Sequence, residues 1–96
     1  MKGISFDELY ELVSHYHDAE FTYKGVTYVL QPEEDDGKMY LVIWDCSDNS
    51  KCLCRYENIN DGGISKDVIE AILNDKCFDG KSFMDIEKEI EVTVIF

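Results

Sequence analysis

Positive charge is scarce in this chain. Nine lysines and arginines stand against 21 aspartates and glutamates, a formal net charge of −12 at pH 7. Binding nucleic acid through its phosphates needs a basic surface, so direct contact with DNA or RNA is not expected, and an acidic membrane leaflet repels such a protein. Proline occurs once and no low-complexity tract is present, while 45% of the residues are apolar and 12% aromatic, which sets a disordered chain aside. No apolar run approaches the roughly 20 residues that cross a bilayer, and no signal-like apolar segment follows the start. A cytoplasmic location is expected, with the cysteines held as thiols. There are two histidines, no C-x-x-C, no H-x-x-x-H and no glycine-rich phosphate loop. No cofactor is expected, and with no catalytic constellation in view the chain is read as non-enzymatic.

What is present is clear periodicity over 96 residues, a length suited to one domain spanning 1–96. Ser5 and Glu8 form an S-x-x-E capping signal, with Ile4 and Leu9 as a hydrophobic staple. Phe6, Leu9, Tyr10 and Val13 then recur at helical spacing, which predicts a helix over 5–17. From Glu20 the period changes to two. Lys24-Gly25 reads as a two-residue hairpin turn that pairs Tyr23 with Val26 and Phe21 with Tyr28. The acidic stretch from Pro32 to Gly37 reads as a turn, followed by strands in "KMYLVIWDC" and "KCLCRYE". Ser65 caps a second helix carrying Val68, Ile69, Ile72 and Leu73 on its apolar face. Asp79-Gly80 predicts a turn, Ser82 the start of a short helix, and "EIEVTVIF" a final strand. The order α-β-β-β-β-α-α-β predicts an α+β fold, an antiparallel sheet of about five strands with helices packed mainly on one face.

The stretch "CSDNSKCLC" gathers Cys46, Cys52 and Cys54, three of the four cysteines, as weak candidates for metal ligands. Strand register decides whether they meet. A turn centred on Asp48-Asn49 pairs Cys46 with Lys51, Ile43 with Cys54 and Leu41 with Tyr56. Cys52 and Cys54 then join the core face and Cys46 the other. A one-residue slip places Cys46, Cys52 and Cys54 together beside Trp44, and the two outcomes exclude each other, because each slip reverses every side chain. The first register agrees with a preceding pairing of Leu30 with Met39 and Tyr28 with Leu41. In it Tyr40, Val42, Trp44, Leu53 and Arg55 share the second sheet face, a candidate interaction surface. His15 and His17 lie about 200° apart around a helix and do not chelate together.

Two segments resemble a group of small uncharacterised bacterial proteins. Phe6, Glu8 and Leu9 fit its opening helix, and Glu20, Phe21, Tyr23, Gly25 and Tyr28 fit an E-F-x-Y-x-G-x-x-Y hairpin. Asp79 to Ser82 fit its D-G-K-S segment. The resemblance implies shared punctuation of the fold and no catalytic residue. The expected function is therefore a protein-binding or regulatory module acting on a protein partner, or on a second copy as a homodimer. The alternatives are an acidic nucleic-acid mimic that inhibits a basic protein, and a cysteine metal-binding protein.

Overall fold

The computed structural model describes residues 3–15, 17–47, 50–58 and 63–95. Helix α1 (Phe6–Ser14) is followed by strands β1 (Ala19–Tyr23), β2 (Val26–Asp35), β3 (Lys38–Asp45) and β4 (Lys51–Asn58). Helices α2 (Lys66–Leu73) and α3 (Phe83–Ile86), a 3-10 turn and strand β5 (Glu91–Ile95) complete the chain. The expected α+β order is the one found. The sheet runs β4-β3-β2-β1-β5, antiparallel throughout, with the C-terminal strand beside β1.

Local chemistry sets the element ends. The Ser5 hydroxyl accepts from the Glu8 amide at 3.2 Å, and Ile4 and Leu9 are both buried beside it. The expected extension of α1 to residue 17 is not observed. The helix closes at Ser14, where the His15 and His17 amides both turn back onto the Leu12 carbonyl. Ser82 and Asp85 form a complete capping box on α3, side chain to backbone in both directions. Ser65 caps α2. Lys24-Gly25 makes the predicted two-residue turn, with both central residues at positive φ.

The acidic segment corrects the expectation of a turn at Pro32–Gly37. Pro32, Glu33, Glu34 and Asp35 are strand, and the reversal is confined to Asp36-Gly37, at φ 52 and 77. The pairing of β2 with β3 is therefore Leu30 with Ile43 and Tyr28 with Asp45, four residues from the expected partners on β3 but on the same faces. Pro32 is tolerated for a geometric reason. The Thr27 carbonyl accepts from the Cys46 amide, so odd-numbered residues of β2 turn their polar backbone toward β3. Pro32 faces the other way, beyond Ala19, where β1 has ended.

One layer of helices covers one face. The core joins Leu9 and Val13 of α1, Ile69, Ile72 and Leu73 of α2, and Phe83 and Ile86 of α3 to Phe21, Leu30, Leu41, Ile43 and Val92 of the sheet. Phe21 is its aromatic centre, stacked on Tyr28 at 5.6 Å and edge-on to Phe83 at 5.2 Å. Two bulges break the ladder, one where β5 meets Glu20 and Phe21, the other where β4 meets Ile43 and Trp44. Ile90 and Val92 are buried with Glu91 exposed between them, as the expected alternation of the last strand requires, and the side chains of residues 93–96 lie outside what is described.

Candidate functional site

The bulge in β4 decides where the cysteines stand. Ile43 pairs with Cys54, as the core-consistent register requires, but Trp44 pairs with Cys52, as the slipped register requires. Leu53 is the extra residue between them. The two registers that looked exclusive are joined in one strand, because a bulge changes parity halfway along. Cys52 turns to the face of Trp44, where it lines a shallow depression with Val42, Trp44 and Arg55. Cys46 lies on that same face beside Val29, Gln31 and Trp44. Cys54 packs against the core. Cys46, Cys52 and Cys54 therefore do not gather into one ligand set. Asp48 and Asn49, the expected turn, lie outside the described residues.

The second face of the sheet is built from β2, β3 and β4. It carries Tyr40, Val42, Trp44 and Arg55, four of the five residues expected there. Leu53 is the correction: the bulge turns it inward, where it packs against the core beside Tyr28 and Cys77. Val42 is buried yet stands apart from the core, because its neighbours on this outer face cover it. Those neighbours are tied to one another. The Trp44 indole N–H and the Gln31 amide both donate to Glu33, the latter at 2.7 Å. Arg55 donates to Asp35 at 2.8 Å and lies 3.8 Å over the Tyr40 ring. Glu34, Asp35 and Asp36 are exposed at the end of the β2–β3 hairpin. Burial, with Glu33 nearby, pushes the Cys52 thiol above its ordinary value.

A second site forms on the helix side. Cys54 donates its S–H to Cys77 Sγ at 3.6 Å, across 23 positions of sequence. Cys54, Asp75 and Cys77 each place one ligating atom within 4.8 Å of the others, the one group of three such residues among those described. The Tyr56 hydroxyl donates to Asp75 Oδ2 at 2.5 Å, and that bond pushes the phenol up to about 12. The same S–H···S contact holds Cys54 well above a free thiol and draws Cys77 below one. Cys77 also borders a cleft of about 230 Å³ that includes Lys24, Tyr28, Leu53 and Lys81.

Linear spacing groups Cys54 with Cys46 and Cys52, its near neighbours, and does not mark Cys77 as its partner. A signal was available. An aspartate and a cysteine two apart follow a helix that must pack on the sheet face where Cys54 points. His15 and His17 are both exposed and take part in neither site. No helix among the described residues is long and apolar enough to cross a membrane. No protein-family model matches this chain, nor does any curated protein or solved structure.

Proposed function

We propose that this chain is a protein-binding module that takes a basic, arginine- or lysine-rich partner segment on the outer face of β2–β3–β4. The observation that carries the reading is one surface holding Tyr40 and Trp44 over a buried Val42, with none of the described helices packed on it and exposed carboxylates at its end. Aromatic side chains supply most of the binding energy at such surfaces, and acidic groups at the rim steer a basic partner. The ties among Trp44, Glu33, Arg55, Asp35 and Tyr40 fix rotamers before binding, which lowers the ordering cost of association. A second copy is a poorer occupant than a basic segment, because two identical chains each carry a net charge of −12 and repel. Nucleic-acid mimicry receives less support. The helix layer carries Asp7, Glu8, Glu11, Asp67 and Glu70, so acids are spread over opposite sides rather than along one surface.

The test is selection of displayed basic peptides on the immobilised full chain, with Trp44→Ala as counter-target. Peptides are expected to bind wild type at least about 30-fold more tightly than Trp44→Ala, the loss of a central aromatic anchor, and to weaken steeply with salt. Equal binding to both proteins would show attraction by net charge alone and overturn the reading. Light scattering on the same samples distinguishes the remaining occupant. A wild-type dimer that Trp44→Ala dissociates would assign the face to self-association instead.

A further inference from the structure

The thiol pair on the helix side is independent of that surface. We propose that Cys54, Asp75 and Cys77 form a site for a thiophilic divalent cation of the zinc type, with two thiolates and one carboxylate as ligands and a fourth position open to the cleft beside Cys77.

The first argument is spacing. Thiolates that bind zinc at about 2.3 Å in a tetrahedral arrangement lie about 3.8 Å apart. The two sulfurs stand at 3.6 Å without any rearrangement of the backbone. The second is the third group. Two sulfurs alone would serve as a buried contact or a redox pair, but a carboxylate within 4.8 Å of both adds only repulsion once the thiols ionise. A dication between them reverses that sign. The third is the support of the carboxylate. The Tyr56 hydroxyl holds Asp75 through a single hydrogen bond to Oδ2, which fixes the carboxylate and leaves it lone pairs for a metal, the arrangement by which outer groups orient a ligand. The fourth is charge. Two thiolates and a carboxylate around a dication leave one net negative charge, and Lys24 and Lys81 border the adjoining cleft.

Each ligand is placed by a separate feature of the fold. Cys54 faces inward because it lies on the core-consistent side of the bulge. Asp75 and Cys77 lie just past the end of α2, where the Asp75 amide bonds the Ile72 carbonyl. The metal would therefore clamp the outermost strand to the segment that follows α2.

The experiment titrates the reduced, metal-stripped full chain with zinc against a chromophoric chelator, with cobalt(II) as a spectroscopic probe of thiolate ligation. Wild type is expected to take up about one zinc per chain and to melt at higher temperature with zinc than without it. Cys54→Ser and Cys77→Ser are each expected to lose that uptake and the thiolate-to-cobalt absorption. Tyr56→Phe is expected to bind about tenfold more weakly with the absorption intact. Cys46→Ser and Cys52→Ser are expected to match wild type. Circular dichroism of the metal-free variants checks their fold, and Cys54→Ala and Cys77→Ala replace any serine variant that fails it. The proposal is overturned if folded wild type takes up no zinc, or if uptake survives in the Cys54 and Cys77 variants. It is equally overturned if the reduced chain ignores zinc and closes a Cys54–Cys77 disulfide with oxidised glutathione.

Discussion

Gly63 shows how much one position can be asked to carry. It sits at φ +116, and a Cβ built there would meet the Ser14 carbonyl oxygen at 2.6 Å, so it lacks both the dihedral freedom and the space for a side chain. Gly63→Ala is expected to destabilise the fold by on the order of 2 kcal/mol or more, read as a lower urea midpoint with an unchanged slope. The neighbouring Asn58 explains why the backbone comes so close. It is buried, donates to the Gly63 carbonyl at 3.0 Å and accepts from the Ser65 amide at 2.9 Å, so one side chain joins the end of β4 to the cap of α2. Neither role is visible in the chain as written. An asparagine before a glycine-containing stretch reads as loop, and only the docking of α1 against that stretch reveals the constraint.

At the scale of elements, caps and turns were the legible part. Ser5, Ser65 and Ser82 begin helices as their spacing predicts, and Lys24-Gly25 and Asp79-Gly80 reverse the chain where expected. These signals are local, carried by residues within four positions of one another. Pairing was less legible. Four adjacent acids behind a proline resemble a turn, yet Glu33 and Asp35 find Trp44 and Arg55 across the sheet, which makes them strand residues. The bulge at Leu53 could not be read at all, since an inserted residue has no composition of its own. It separated Cys52 from Cys54 and so hid Cys77 as the true neighbour. The α3 cap gives an element-level test. The Ser82 amide and hydroxyl hold the Asp85 carboxyl below its ordinary value of 3.8, so the ionised form is favoured in the folded state. That stabilisation is present above the ordinary carboxylate range and disappears as pH falls through the lower, folded value. Wild type should therefore melt above Asp85→Asn near neutral pH, with the gap closing on the acid side.

For the molecule as a whole, charge is the dominant long-range term. The net charge of −12 is spread over a body with principal extents of 35 × 30 × 25 Å, so most acids repel across distances comparable to the screening length. That length shrinks from about 30 Å at 0.01 M salt to about 8 Å at 0.15 M. The melting midpoint is expected to rise over that interval, measured by circular dichroism with chloride salts. A flat or falling midpoint would mean that close ion pairs such as Arg55 with Asp35 outweigh the general repulsion.

The bulge in β4 has one further consequence. β4 is the outermost strand on its side of the sheet, and a long straight outermost strand is a template on which another chain can extend the ladder. A strand that changes parity midway and carries Lys51, Arg55 and Glu57 offers no continuous template. The irregularity that sorts the cysteines to opposite faces thus also protects the protein from polymerising along its own edge.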